Sequence, residues 1–181
     1  MTGRRPGAAV AWCGLGLSML LVGCATRPPA EGNTPWTSGK LSLRIEALDE
    51  RLAQSLPATF DLRGTSENGE LRLTSPLGTL IAAARWSGQR AVLQTSDGER
   101  EFPDLDALSR EALGEPLPLR ALPDWIAGRP WPGAAVDRRG DGGFEQLGWT
   151  IDLARYTQGS LTATRPAPPA VTLRVRIERP E

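Results

Sequence analysis

Histidine is absent from the 181 residues, and cysteine and methionine occur only twice each. Met1, Met19 and Cys13 all fall within residues 1–23, which read as a cleaved secretion signal. The mature chain would then hold no methionine and a single cysteine, Cys24. Those gaps exclude imidazole acid–base chemistry, a Cys-plus-His zinc site and an internal disulfide. No metal and no cofactor is expected, and a binding protein fits better than an enzyme. An excess of one charge is missing too: 21 basic residues balance 21 acidic ones, and losing Arg4 and Arg5 leaves 19 against 21. Nothing in that balance suits nucleic acid.

What is present begins at the N-terminus. Arg4 and Arg5 form a basic start, and Ala8 to Val22 is an apolar run too short and too glycine-broken to stay in a bilayer as a helix. It ends in Leu21-Val22-Gly23-Cys24, the pattern of a bacterial lipobox. Small residues before the cysteine let a peptidase approach once the thiol carries diacylglycerol. Residues 1–23 are therefore read as a lipoprotein signal, with Cys24 as the lipid attachment site. One acyl chain anchors weakly at about 0.8 kcal/mol per buried CH₂, whereas two or three hold firmly. Residues 24–37 are rich in proline and small polar residues, which reads as a tether. Residues 38–181 make one domain of ordinary size.

Strict alternation dominates that domain. Leu41, Leu43 and Ile45, then Ala58, Phe60 and Leu62, then Leu71 and Leu73, and finally Val171, Leu173, Val175 and Ile177 alternate with polar neighbours. Such spacing predicts half-buried strands. Asn68-Gly69, Asp97-Gly98 and Asp141-Gly142-Gly143 suit tight hairpins, so the strands should be antiparallel. Leu80 to Trp86 is apolar on both faces and predicts a central strand, and further strands are expected over Phe144–Trp149 and Thr150–Tyr156. Asp104 can cap a helix that stops at Gly114, and a second helix starts at Leu119 or Pro123 and ends at Gly128. The expected fold is mainly β, an open, incomplete antiparallel barrel with short helices covering a hydrophobic cavity.

Four ordered segments behind the lipobox carry a resemblance: Leu71-Arg72-Leu73-Thr74-Ser75-Pro76-Leu77-Gly78, Gly114-Glu115-Pro116-Leu117-Pro118-Leu119, Leu122-Pro123-Asp124-Trp125-Ile126-Ala127-Gly128-Arg129-Pro130, and Gly143-Phe144-Glu145-Gln146-Leu147-Gly148-Trp149. Together they resemble the LolB family of outer-membrane lipoprotein receptors over nearly all of the mature chain. The family often has Phe-x-Trp where this chain has Phe60-Asp61-Leu62, and a tryptophan near an end that here reads Arg179-Pro180-Glu181. The resemblance implies an incomplete barrel plugged by helices, anchored at the periplasmic face of the outer membrane. It implies partners as well: a soluble periplasmic carrier similar to LolA, the acyl chains of client lipoproteins, and outer-membrane lipid. A monomer without covalent chemistry is expected.

In Ser75-Pro76-Leu77-Gly78, proline suits the second turn position and glycine the fourth, which sets Leu77 at a loop tip. Spacing alone allows the leucine to project or to fold back. In the family the leucine at this point projects and is needed for membrane insertion, so Pro76, Leu77 and Gly78 are the candidate insertion loop. Candidate cavity or core residues are Phe60, Leu62, Leu71, Leu73, Trp86, Leu93, Trp125, Ile126 and Trp149, because core and lipid cavity use the same residue types. Two other readings stay open. Glu67, Glu70, Asp97, Glu99 and Asp152 offer carboxylates for hydrolysis. A β-rich envelope lipoprotein binding another lipid, or scaffolding an envelope complex, fits the pattern as well.

Overall fold

The computed structural model describes residues 34–178, so the expected signal, Cys24 and most of the expected tether lie outside the described residues. Alternating apolar residues become eleven strands: β1 (Thr37–Ile45), β2 (Gln54–Gly64), β3 (Asn68–Thr74), β4 (Leu80–Ser87), β5 (Arg90–Thr95), β6 (Gly98–Phe102), β7 (Asp137–Arg138), β8 (Phe144–Gln146), β9 (Trp149–Asp152), β10 (Ser160–Arg165) and β11 (Val171–Ile177). They pair in the order β6-β5-β4-β3-β2-β1-β11-β10-β9-β8-β7. The two outer strands, β6 and β7, are not joined, which leaves the antiparallel barrel open. First and last strands meet in the middle, where Leu43 lies opposite both Leu56 and Leu173.

Period two then sorts the side chains. Leu43 and Ile45, Phe60 and Leu62, Leu173 and Val175 are buried on one face, while Lys40, Arg44 and Arg174 point to solvent. Phe60 is fully buried, its ring over Gly39, where a Cβ would come within 2.8 Å of it. Burial of one such side chain contributes about 1.5–3 kcal/mol.

Helix α1 (Leu105–Leu113) starts where the sequence places its cap: Asp104 Oδ1 accepts from the Ala107 N–H at 2.7 Å, and the helix stops at Gly114. Leu105 and Leu108 are buried, and α1 packs on β5 and β6. After an extended stretch, a 3₁₀ turn (Leu119–Ala121) runs into α2 (Leu122–Ile126), so the two candidate starts of the second helix are its two halves.

Three local expectations need correction. Asn68-Gly69 is not the turn: Gly64, at φ +100°, begins it, and Gly69 lies inside β3 opposite Trp86. Gly69 is small for another reason, since a Cβ there would meet the Trp86 ring at 2.3 Å. Phe144–Trp149 is not one strand, because Leu147 and Gly148 form a two-residue hairpin between β8 and β9, with Gln146 opposite Trp149. Both turn residues have positive φ, +55° for Leu147, which bulky residues rarely adopt. Finally, Thr150–Tyr156 breaks at Asp152, Tyr156 sits in a 3₁₀ turn, and β10 forms from Ser160–Arg165, whose Leu161 and Ala163 give too weak an alternation to read.

Candidate functional site

Between the inner face of the sheet and the helical segment lies a cavity of about 70 Å³. The sheet contributes Leu41 and Leu43 of β1, Leu56 and Phe60 of β2, Leu71 and Leu73 of β3, Trp149 of β9, and Leu173 and Val175 of β11. Leu113, Leu117, Pro118, Leu119, Leu122, Trp125 and Ile126 close it from the helical side. Every lining residue is apolar. Such a surface offers a ligand apolar contact, with no hydrogen bond and no reactive group.

Polar contacts hold the helical side in place. The buried Gln146 amide accepts from Trp125 Nε1 and from the Trp131 N–H, both at 2.9 Å, and donates to the carbonyls of Trp131 at 2.7 Å and Ala134 at 3.0 Å. Ser109 Oγ accepts from the Leu117 N–H at 2.9 Å, which fixes the link between α1 and the 3₁₀ turn. Tyr156 Oη donates to the Ile126 carbonyl at 3.0 Å. Glu115, itself buried, accepts from Arg51 at 3.0 Å and from Arg165 at 3.1 Å, tying this link to the β1–β2 loop and to β10. Arg51 also donates to the Gly114 carbonyl at 2.9 Å.

Of the candidate residues, Phe60, Leu71, Leu73, Trp125, Ile126 and Trp149 line the cavity. Leu62, Trp86 and Leu93 do not; they are buried elsewhere in the same core. Leu62 lies opposite Thr37 at the far end of β2, Trp86 covers Gly69 and donates to the Thr65 carbonyl at 2.9 Å, and Leu93 is buried on β5, the strand against which α1 packs. Leu41 and Leu43 of β1, Leu56 of β2, the other residues of the helical side and Leu173 and Val175 of β11 complete the lining. Alternation exposes the inner face of β11 to view, but nothing local tells which leucines stand away from the opposite layer.

The Ser75-Pro76-Leu77-Gly78 turn closes with the Gly78 N–H donating to the Ser75 carbonyl at 2.9 Å. Ser75 Oγ accepts from the Leu77 and Thr79 N–H groups at 3.3 and 3.2 Å. Leu77 projects, 94% exposed. The candidate carboxylates do not reach the cavity. Glu70 accepts from Arg63 and Arg72, both at 2.7 Å, Glu99 is paired with Arg85, and Asp152 accepts from the Ala154 N–H. Burial pushes the Glu70 carboxyl up, but the hydrogen bonds and charges of the two arginines outweigh it and leave its pKa lowered. Both guanidinium groups also stack on Trp36, 4.5 and 4.8 Å from its ring centroid.

Residues 36–179 match the protein-family model described as Outer membrane lipoprotein LolB. The chain belongs to the LolB family. It is 35% identical over 152 residues to the Outer-membrane lipoprotein LolB of Chromobacterium violaceum, covering 78% of this chain and 80% of the relative. The protein of the same name from Bordetella petrii is 32% identical over 185 residues, 93% of this chain and 92% of the relative. That of Bordetella pertussis is 35% identical over 153 residues, 77% and 75%. The departure from the LolB pattern at Leu62 falls outside the cavity lining. The departure at Arg179–Glu181 lies outside the described residues.

Proposed function

We propose that the chain is an outer-membrane-anchored receptor, not an enzyme, that accepts lipoproteins from a periplasmic carrier similar to LolA and inserts them into the outer membrane. The observation that carries this reading is the wholly apolar cavity beneath a helical cover. Binding the acyl chains there shields them from water without covalent chemistry. Handover needs only a gradient of affinity, about tenfold for each 1.4 kcal/mol, from carrier to receptor and from receptor to bilayer.

Size adds a condition. A cavity of about 150 Å³ takes a ring of six carbons, so one of about 70 Å³ cannot admit a long chain without moving its walls. The helical side is the part to move: it rests on the sheet through side-chain contacts, whereas the strands are locked by backbone ladders. Leu77 supplies the other half, an apolar tip that enters lipid as the chains leave, and Cys24 carries the anchor.

The test is transfer. A soluble form lacking residues 1–23 and Cys24 is expected to take a lipoprotein from its carrier in a pull-down and to raise the fluorescence of an apolar dye. Failure in both assays overturns the acyl-chain reading. Mass spectrometry of the membrane-derived chain is expected to show loss of residues 1–23 and added lipid mass on Cys24.

A further inference from the structure

We propose that Arg165 is the polar end of the lipid site, donating a hydrogen bond to the ester carbonyls of a diacylglyceryl group whose chains fill the apolar cavity. The inference rests on the acyl-chain reading above and adds what lies at the boundary between hydrocarbon and head group.

Arg165 closes β10 on the face that carries the buried Leu161 and Ala163, so it is an arginine on the inner side of the barrel. It lies opposite Val171, one inward position beyond the cavity residue Leu173, about 7 Å along the strands. Its side chain is 14% exposed. Nη2 donates to Glu115 Oε2 at 3.1 Å and to the Pro169 carbonyl at 3.0 Å. Nε is different: it is buried and has no hydrogen-bond partner, the only such side-chain atom among the described residues.

A buried donor without an acceptor is costly, and the neighbouring ring does not remove the cost. The guanidinium carbon lies 5.8 Å from the centroid of Trp149, the outer limit of a cation–π contact, and the ring has no lone pair in the manner of an oxygen. Trp149 itself lines the cavity. The buried Gln146 amide is committed to four hydrogen bonds within the protein. Arg165 does not itself line the cavity but stands beside the lining residue Trp149, so a chain seated among the leucines reaches the unused N–H with its first oxygen, the acyl carbonyl, at the cavity's edge. One carboxylate, Glu115, faces two guanidinium groups there, so an acceptor oxygen meets a net positive surround.

Acyl oxygens come from esters or from free fatty acid, and one experiment separates them. The chain, purified from membranes in detergent, is offered equal amounts of dipalmitoylglycerol, its ether analogue dihexadecylglycerol and palmitate, and bound species are counted by native mass spectrometry. The ester is expected to exceed the ether by about tenfold. Arg165→Lys keeps a cation opposite Glu115 but has no Nε; it is expected to bring the ratio near one while ether binding stays constant. Equal binding of ester and ether by the unaltered chain overturns the subsite and leaves the cavity reading standing, whatever the variant's stability. Binding of none overturns both. Palmitate exceeding both glycerides overturns the ester assignment, and so does an Arg165→Lys chain that keeps the tenfold preference.

Discussion

Two regions of one core use the same residues to opposite ends. On the β4–β5 flank, Trp86 lies on Gly69, Ala84 and Ala91 keep the neighbouring positions small, and Leu93 is buried on the strand against which α1 packs. Around β1 and β11, leucines face other leucines across a gap. The flank closes because a large ring meets a glycine and α1 rests directly on the strands. The other half stays open because its cover is the extended link and short turns after Gly114, held from outside the gap by Glu115, Gln146 and Tyr156. Closeness of layers, not hydrophobicity, separates a packed core from a binding cavity.

Large-to-small changes break or sharpen that contrast. Trp86→Ala is expected to cost about 3–5 kcal/mol, measured by urea denaturation, because it empties a filled site over Gly69. Leu93→Ala on the flank should cost about 2–5 kcal/mol, whereas Leu73→Ala, half-buried beside the existing gap, should cost clearly less. Equal losses at Leu93 and Leu73 would erase the distinction between the regions.

Gln146→Leu follows, expected to lose about 1–3 kcal/mol for each backbone or indole group left unpaired, and to increase dye uptake as the helical cover loosens. A variant that melts as before and binds dye as before would show that Gln146 does not hold the cover. Leu77→Glu should leave the melting temperature unchanged at so exposed a position, while delivery to liposomes falls about tenfold to a hundredfold. Unchanged delivery would remove the loop from the mechanism.

The smallest effect concerns acid. Because the folded pKa of Glu70 is lowered, the unfolded chain binds its proton first as pH falls. The stabilisation is complete above the ordinary glutamate pKa of about 4.3 and is lost as pH drops through the folded value. Glu70→Gln is expected to flatten the pH dependence of stability in that acid range, with the cavity unaffected; a slope identical to the parent's would assign the acid sensitivity to other carboxylates.

Much of the fold is legible because strand alternation, the Asp104 cap and the Gly114 stop are local physics. The turn around Leu77 is legible for the same reason, since proline and glycine set it, but spacing leaves open whether the leucine projects or folds back, and only the family resemblance favours the projection that the structure shows. Hairpin positions slip where glycine serves two purposes, as at Gly69, chosen for the ring above it rather than for a turn. The cavity is only half legible. Leu62 and Leu73 have the same alternation, yet one lies deep in the core and the other beside the gap. The polar ties are hidden altogether: Glu115 meets Arg165 across 50 residues and Trp125 meets Gln146 across 21, and no local pattern encodes such pairs.

An open barrel keeps two strands with unused backbone donors and acceptors, an invitation for a second copy to extend the sheet. Here those margins are poor templates. One is β7, two residues long and both charged, Asp137 and Arg138; the other is β6, where Glu99, Arg100 and Glu101 follow one another in solvent. Any chain docking there would have to strip water from consecutive charges to gain a handful of ladder bonds. The margins that leave the barrel open are thus charged and short, which disfavours pairing with a second copy along either edge.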